Sequence, residues 1–216
     1  MNKKKPVAPT PDVLQEEILR RIASAGGIHQ YPANTVLIHE GERSDTLFIL
    51  LSGRVKVYAA NEQGKEVTII YHGPGEYVGE MALDGGVRSA SVMTTEPTAC
   101  SVVSGADLRQ FIAAHPDFAQ HLVKKLIRRV RQATESLKAL ALLDVYGRIV
   151  KLLNDLSVPD GEQRVIDERL TQQDIADRVG ASREMVSRIL GGLRIGGFIK
   201  VTGGRIRIFK KLPAAF

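Results

Sequence analysis

The chain of 216 residues has a single cysteine and no apolar run long enough to cross a bilayer. One thiol excludes an intramolecular disulfide and an iron–sulfur cluster held by cysteines alone. A membrane-spanning helix needs about 18 or more apolar residues in a row, so we expect no membrane partner. The basic N-terminus MNKKKPVAPTP is not followed by the apolar stretch of a secretory signal. We therefore expect a disordered tail over residues 1–11 and a cytoplasmic protein.

Signatures of catalysis and of metal binding are also missing. The sequence contains no metal-ligand cluster, no arrangement of a nucleophile with its base and no Walker-type lysine, so it predicts neither an enzyme nor a metal site. Cys100 stands in the apolar run ACSVV, which favours a buried structural thiol. A haem site on this cysteine or on a histidine stays open, although no ligand pattern supports it. The histidines are His29, His39, His72, His115 and His121.

Positive charge is concentrated near the C-terminus. Residues 1–144 hold 17 lysines and arginines against 16 acidic residues, whereas residues 145–216 hold 13 against 8. A basic region of this kind attracts polyanions, and double-stranded nucleic acid is the first candidate partner.

The chain has β character from residue 28 to about residue 103. Segments such as TLFILLSG, RVKVYAA and EVTIIYHG are short and apolar or alternating, and glycines separate them. NEQGKE forms a suitable hairpin connection before Val67. Many short strands with closely spaced turns predict a sandwich or barrel. We expect a short helix before it, over residues 12–25, with Asp12 as its N-cap.

A helical period begins at about residue 107 and is clearest over residues 118–141. Apolar residues recur there at steps of three or four and form a narrow stripe, flanked by basic residues that include Lys125. A core-facing helix is one interpretation. The narrow stripe with a small residue at Ala133 favours a two-helix seam with a second copy of the chain. The predicted interface residues are Leu122, Leu126, Val130, Ala133, Leu137 and Leu140.

The basic C-terminal part has the pattern of a winged helix-turn-helix. Asp144 is a suitable N-cap for a helix over residues 145–156 and marks a hinge. Thr171 with Asp174 predicts a capping-box variant, Gly180 a sharp turn and Ser182 a second cap. FIKV, TGG and RIRIF then predict a two-stranded wing that turns at Gly203 and Gly204.

The outward face of the second helix carries groups that read bases. Arginine donates two bonds to guanine, and glutamate accepts from cytosine. An intrahelical pair between Glu184 and Arg188 is the alternative, and it is compatible with base reading. The helix start should bind a phosphate. The predicted DNA-binding residues are Thr171, Ser182, Arg183, Glu184, Ser187 and Arg188.

The segment GEMALDGGVRSASV, residues 79–92, combines Glu80 and Arg88 with glycines and small hydroxyl residues. It fits either a turn with a surface ion pair or a cradle for an anion that also carries hydroxyl groups. Arginine suits a phosphate because its planar fork donates two bonds at once. Glycines let the backbone approach a ligand closely.

Four segments together resemble the cyclic-AMP receptor protein (catabolite activator) family of bacterial transcription regulators. They are YPANTVLIHEGERSDTLFILLSGRVKVY, GEYVGEMALDGGVRSASV, ALLDVYGRIVKLL and ASREMVSRIL, and the resemblance runs from about residue 12 to residue 210. It implies an α+β fold with a jelly-roll cyclic-nucleotide domain (12–117), a dimerisation helix (118–141) and a winged helix-turn-helix (142–216). It also implies a homodimer on a pseudo-palindrome with half-sites similar to TGTGA, and RNA polymerase as a partner.

The resemblance assigns the glycine-rich segment to a cyclic nucleotide, with cyclic AMP as the allosteric ligand. Glu80 would accept from the ribose 2′-hydroxyl, Arg88 would pair with the cyclic phosphate, and the Ser89 hydroxyl and Ala90 N–H would complete its contacts. Ala133 stands at one of two positions where the family places hydroxyls on the base, so cyclic GMP and a vestigial or repurposed pocket stay open. The predicted ligand-contacting residues are Gly79, Glu80, Met81, Ala82, Arg88, Ser89, Ala90, Ala133 and Thr134.

Overall fold

The computed structural model describes residues 16–64 and 66–213. The predicted tail and Asp12 lie outside these ranges. The chain divides into two compact units, one ending at Leu126 and the other beginning at Ile127, and each is described by itself. Helix α1, Glu17–Ala23, lies within the range predicted for the N-terminal helix.

Two antiparallel four-stranded sheets form the β-roll of the first unit. The strand order is β1-β8-β3-β6 in one sheet and β2-β7-β4-β5 in the other, which is the interleaved connectivity of a jelly roll. The strands are β1 (Gly27–Tyr31), β2 (Val36–Ile38), β3 (Leu47–Ser52), β4 (Val55–Ala60), β5 (Glu66–His72), β6 (Tyr77–Val78), β7 (Ser91–Thr94) and β8 (Thr98–Val103).

Strand β3 is buried on both faces, which explains why LFILL reads as a continuous apolar run rather than an alternation. Leu47, Ile49 and Leu51 join a core that includes residues of the helices. Phe48 and Leu50 join a second core that contains residues of both sheets. The β-roll therefore has one core between its sheets and another beneath its helices.

Helices α2, Gly105–Ala114, and α3, Pro116–Leu142, follow the β-roll. The Ser104 side chain accepts a hydrogen bond from Asp107 N and caps α2. Proline suits the first turn of α3 because its missing N–H would have no partner there. Near the start of α3, Phe118 is buried in the core beneath the helices.

The second unit contains α4 (Val145–Leu156), β9 (Val158–Asp160), β10 (Gln163–Ile166), α5 (Gln172–Val179), α6 (Arg183–Ile195), β11 (Ile199–Thr202) and β12 (Arg205–Ile208). Its sheet order is β11-β12-β10-β9. The Asp144 carboxylate accepts from Gly147 N at 2.7 Å, so α4 is capped where predicted. Thr171 and Asp174 form the complete capping box, and Gly180 adopts a left-handed φ of 64° between α5 and α6. The α+β fold class is confirmed.

Candidate ligand and DNA-binding sites

Strand β6 leads into a tight turn that opens the glycine-rich segment. Gly79 has a φ of 98°, and a Cβ there would lie 2.5 Å from Thr46 O and 2.8 Å from Arg88 Nη1. Only glycine fits both the backbone conformation and the space. Glu80 follows as the first residue of the 3-10 helix Glu80–Asp84.

Arg88 is held inside the first unit by its own chain. Its Nη1 donates to Gly79 O at 2.7 Å, Nη2 to Thr46 O at 2.7 Å and Nε to Ser44 Oγ at 2.8 Å. Burial lowers the pKa of the guanidinium, and the carboxylates of nearby acidic residues, Asp45, Glu80 and Glu42, oppose this shift. A guanidinium has five N–H donors. Three are used by these bonds, which leaves two for an anion.

The remaining predicted phosphate contacts, Ser89 and Ala90, directly follow this arginine. Ser89 is exposed, and its hydroxyl lies 3.3 Å from Met81 Sδ, towards which it donates. Ala90 is buried, with 9% of its surface exposed. Glu80 and Arg88 are only 5% and 3% exposed. The segment therefore brings the ligand-contacting residues predicted between Gly79 and Ala90 together around the buried Glu80 and Arg88. For Ala82, only its place in the 3-10 helix is described.

Cys100 is a structural thiol in this arrangement. It is fully buried between the sheets, and desolvation raises its pKa to about 12. The protonated thiol is a poor metal ligand because metals bind the thiolate. Within the described ranges, histidines, cysteines and acidic residues form no group of three that could hold a metal ion.

The second half of α3 presents an apolar face that its own chain leaves exposed. Val130 and Leu137 are 65% and 67% exposed, and Leu140 and Ala133 are also exposed. Leu126 is half-buried, and Leu122 packs against the core of the β-roll. Leu122 therefore has a role inside the chain that the stripe alone did not indicate.

Two exposed residues on α3, Val123 and Ile127, were missed by the sequence analysis. Together with Val130 and Leu137 they follow a heptad spacing, which is the signal that would have found them. Thr134 continues this spacing. Its hydroxyl donates to Val130 O at 2.9 Å, one turn back along the helix.

The predicted base-reading residues lie together on α6. Arg183, Glu184, Ser187 and Arg188 are all exposed. Together with Gln172, Gly191, Gly192 and Ile195 they line a concave surface that encloses a volume of about 600 Å³. The Ser182 side chain accepts from Met185 N and caps the helix. Gln172 was not predicted; a polar residue directly after an N-cap was its only signal.

Glu184 stays ionised on this surface. Its pKa is lowered first by a hydrogen bond from its own backbone N–H, then by the Ser182 hydroxyl and the charge of Arg183. Within the described chain Glu184 and Arg188 form no ion pair, so the alternative interpretation is not supported.

The wing forms as predicted. Strands β11 and β12 pair from Ile199 to Ile208, and Gly203 and Gly204 at the turn both have positive φ. On β12 the arginines are exposed and the isoleucines buried, because alternate residues of a strand face opposite sides. A basic strand therefore stands beside the helix-turn-helix.

Comparisons with known proteins identify both domains. The family model for the cyclic nucleotide-binding domain matches residues 28–115, and the model for the Crp-like helix-turn-helix domain matches residues 147–211. The cAMP-activated global transcriptional regulator CRP of Pasteurella multocida is 37% identical over 191 residues, which cover 84% of this chain and 90% of that protein. The chain belongs to the CRP/FNR family. The CRP-like cAMP-activated global transcriptional regulator of Mycobacterium tuberculosis is 35% identical over 184 residues, 82% of each chain.

Solved structures share the CRP/FNR fold. The c-di-GMP responsive global regulator CLP of Xanthomonas campestris has a TM-score of 0.77 and 28% identity, covering 89% of this chain and 98% of its own. A CooA mutant from Carboxydothermus hydrogenoformans has a TM-score of 0.79 at 17% identity, covering 97% and 94%, and shows the fold alone. The protein is a transcription regulator with a cyclic nucleotide-binding domain and a DNA-binding helix-turn-helix, as the sequence predicted. No helix among the described residues has the length and apolarity to span a membrane.

Proposed function

We propose that this protein is a homodimeric transcription regulator whose affinity for DNA is set by a cyclic nucleotide, with cyclic AMP as the first candidate. The observation that carries the proposal is the buried Arg88, which retains two N–H donors beside the Ser89 hydroxyl and the Ala90 backbone. The relatives named above as cAMP-activated regulators support the same ligand class.

Burial of Glu80 and Arg88 favours an anion site over a surface ion pair. An ion pair on the surface contributes little to stability, and its two side chains remain exposed to solvent. Removing two charged groups from water is costly, and a stable fold seldom retains them unless other bonds compensate. Here backbone carbonyls and Ser44 compensate the arginine. The carboxylate of Glu80 would accept from the single free hydroxyl of the ribose.

By family resemblance Thr134 would contact the base of the ligand, and its hydroxyl then favours adenine. Because it donates to Val130 O, it offers its lone pairs rather than its proton to a ligand. Adenine presents an amino group that can donate to such an acceptor, whereas guanine presents a carbonyl at the same position. Ala133 adds no polar contact, so we expect the preference for cyclic AMP to be modest.

Isothermal titration with cyclic AMP, cyclic GMP and cyclic di-GMP tests the ligand. We expect cyclic AMP to bind most tightly, and Glu80→Gln to weaken binding because an amide is a poorer acceptor for the ribose hydroxyl than a carboxylate. Tighter binding of cyclic di-GMP would favour a repurposed pocket, for which the likeness to CLP is the supporting observation. No binding of any of the three would favour a vestigial pocket and a constitutive DNA binder.

The exposed apolar face of α3 supports dimerisation. We define this face as Val123, Ile127, Val130, Leu137 and Leu140. Val130→Glu would place an unpaired ion in the seam and cost several kcal/mol. We expect the variant to sediment as a monomer, while Arg131→Glu, a charge change outside this face, remains dimeric. A wild-type protein that is monomeric at micromolar concentration would contradict the proposal.

A dimer sets the geometry of the DNA site. Two α6 helices related by a two-fold axis fit half-sites about 34–36 Å apart, and by family resemblance each half-site is similar to TGTGA. In a gel-shift assay we expect binding to this palindrome to weaken when the spacing between half-sites is changed by half a helical turn. Equal binding to both spacings would show that the two helices do not act together.

The ligand would act by population shift. It must bind the DNA-competent state more tightly, by about 1.4 kcal/mol for each tenfold gain in DNA affinity. We expect Thr134→Ala to reduce the ratio of DNA affinities at saturating and zero ligand more than it reduces ligand affinity. An unchanged DNA affinity in wild type with and without ligand would contradict gating. The proposal also includes RNA polymerase as a partner of the DNA-bound dimer, a cytoplasmic location and no enzymatic activity.

A further inference from the structure

Met81 contacts Ser89, one of the predicted phosphate-binding residues. It is the second residue of the 3-10 helix, directly after Glu80, and 59% of its surface is exposed. Its thioether sulfur is the hydrogen-bond acceptor of Ser89 at 3.3 Å. One side chain therefore both faces solvent and holds the hydroxyl that the ligand phosphate would need.

The exposure of Met81 sets it apart from the other methionines in the described residues. The chain has four methionines; Met1 lies outside the described ranges, and Met93 and Met185 are half-buried. Oxidants reach an exposed thioether more readily than one inside a core. A dilute oxidant should therefore modify Met81 before Met93 and Met185.

We propose that Met81 is an oxidation site through which hydroperoxides lower the affinity of the glycine-rich segment for its phosphate ligand. The inference rests on the proposed function. A sulfur lone pair attacks the OH oxygen of the hydroperoxide, the O–O bond breaks and an S=O bond forms. The proton of the attacked oxygen passes to the departing oxygen, which leaves as water from hydrogen peroxide or as an alcohol from an organic hydroperoxide. The thioether loses two electrons to the peroxide, and no further reactant is required. The product, methionine sulfoxide, is polar and is reduced again by methionine sulfoxide reductases.

The direction of the effect follows from the hydrogen bond. A thioether is a weak acceptor, so the Ser89 hydroxyl leaves it at little cost and turns to a phosphate. A sulfoxide oxygen is a much stronger acceptor and competes for the same proton. We expect ligand affinity to fall about threefold to tenfold, which is the effect of one ordinary hydrogen bond.

The experiment uses the full chain and hydrogen peroxide. Peptide mass spectrometry measures sulfoxide at each methionine over time, and cyclic AMP is titrated before oxidation, after oxidation and after treatment with reductases A and B. We expect Met81 to oxidise faster than Met93 and Met185, affinity to fall as stated, and reduction to restore it. In Met81→Leu the affinities before and after peroxide should be equal. In Ser89→Ala, Met81 should oxidise without a further loss of affinity, because the competing hydroxyl is absent.

Four results would overturn the inference while leaving the proposed function in place. Met81 could oxidise no faster than the half-buried methionines, or the Met81 sulfoxide form could bind cyclic AMP as tightly as the thioether form. Met81→Leu could lose as much affinity on oxidation as wild type, which would place the sensitive residue elsewhere. Ser89→Ala could lose as much as wild type, which would exclude competition for the hydroxyl. Failure of the unoxidised protein to bind any cyclic nucleotide would overturn the proposed function itself, and the inference with it.

Discussion

Arginine serves two sites of this protein under opposite conditions. In the glycine-rich segment, Arg88 is buried and makes three hydrogen bonds to its own chain. On α6, Arg183 and Arg188 are exposed, and within the described chain no hydrogen bond or ion pair holds their guanidinium groups. The first side chain is held in position by its own chain, whereas no hydrogen bond or ion pair within the described residues fixes the other two.

The difference suits the two ligands. A cyclic phosphate is small and rigid, and it can be gripped only by donors that are already in place, because few contacts are available to offset lost side-chain entropy. DNA offers many phosphates and base edges, so the free energy of DNA binding is spread over several exposed side chains. A change at Arg88 should therefore disturb both folding and binding, and a change at Arg183 binding alone.

Arg88→Leu is the strongest way to break the comparison. It leaves Thr46 O and Gly79 O without a donor inside the fold, at about 1–3 kcal/mol for each unsatisfied group. We expect the free energy of unfolding to fall by about 3 kcal/mol and cyclic AMP affinity to fall at least about tenfold, measured by urea denaturation and isothermal titration. Ser44→Ala, which removes only one acceptor of the same guanidinium, should have a smaller effect on both. Unchanged titration curves in Arg88→Leu would place the phosphate elsewhere.

Arg183→Ala tests the exposed side of the comparison. Loss of a base-reading arginine costs about 1–3 kcal/mol on the preferred site and little on random DNA. Because the side chain is exposed and makes no hydrogen bond or ion pair within the described residues, we expect the free energy of unfolding to change by less than about 0.5 kcal/mol. Arg194→Ala, on the same helix but outside the concave surface, is the control. Equal losses on specific and random DNA would identify Arg183 as a phosphate contact.

Features that depend on neighbouring residues were predicted better than contacts between residues far apart in the sequence. The caps at Asp144, Thr171 and Ser182 and the turn at Gly180 depend on residues within four positions of each other, and all four are where the sequence placed them. The family resemblance supplied the partners of the glycine-rich segment only in part. Thr46 O and Ser44, which hold Arg88, lie more than 40 residues away and have no signature in composition or spacing.

Lys125 is a second residue whose distant partners the local sequence did not predict. The sequence placed it on the basic flank of α3, but it is buried. Its Nζ lies 2.9 Å from Glu76 Oε2 and 4.5 Å from the centre of the Tyr77 ring. The period of apolar residues predicts which face of a helix is buried, but it does not identify a single lysine on the polar face that pairs with a glutamate from a distant loop. Lys125 is thus buried like Arg88, and like Arg88 it is satisfied by its own chain.

Glu76 makes the buried charge of Lys125 measurable by pH. Burial raises the pKa of Glu76, but hydrogen bonds from His72 and Lys125 and their charges outweigh it and hold the pKa at about 2. A carboxyl group with a lowered pKa stabilises the fold above its ordinary value of 4.5, and this contribution is lost as the pH falls towards 2. Because 38% of the side chain is exposed, solvent screens the interaction. We therefore expect a contribution of about 1 kcal/mol.

Urea denaturation between pH 6 and pH 2, in steps of about one unit, tests this contribution. Glu76→Gln should flatten the fall in unfolding free energy over that window. Glu135→Gln, which removes an exposed pair with Lys138, should leave the profile close to that of wild type. Parallel profiles for wild type and Glu76→Gln would show that the ion pair does not stabilise the fold.

Thr171→Ala has the smallest expected effect. It tests whether the Thr171 hydroxyl, a predicted DNA-binding group, is also held in position by its own chain. The Thr171 hydroxyl accepts from Asp174 N at 3.0 Å and donates to Asp174 Oδ2 at 2.6 Å, so its proton is used within the capping box. Removing a cap costs about 0.5–1 kcal/mol at an exposed position, and Thr171→Ser should restore it. If Thr171 only orders the start of α5, random and specific DNA affinities should fall together and by less than the loss of stability. A larger loss of DNA affinity, restored by serine, would show that the hydroxyl leaves Asp174 for a phosphate, and that the contrast between the two sites is one of degree.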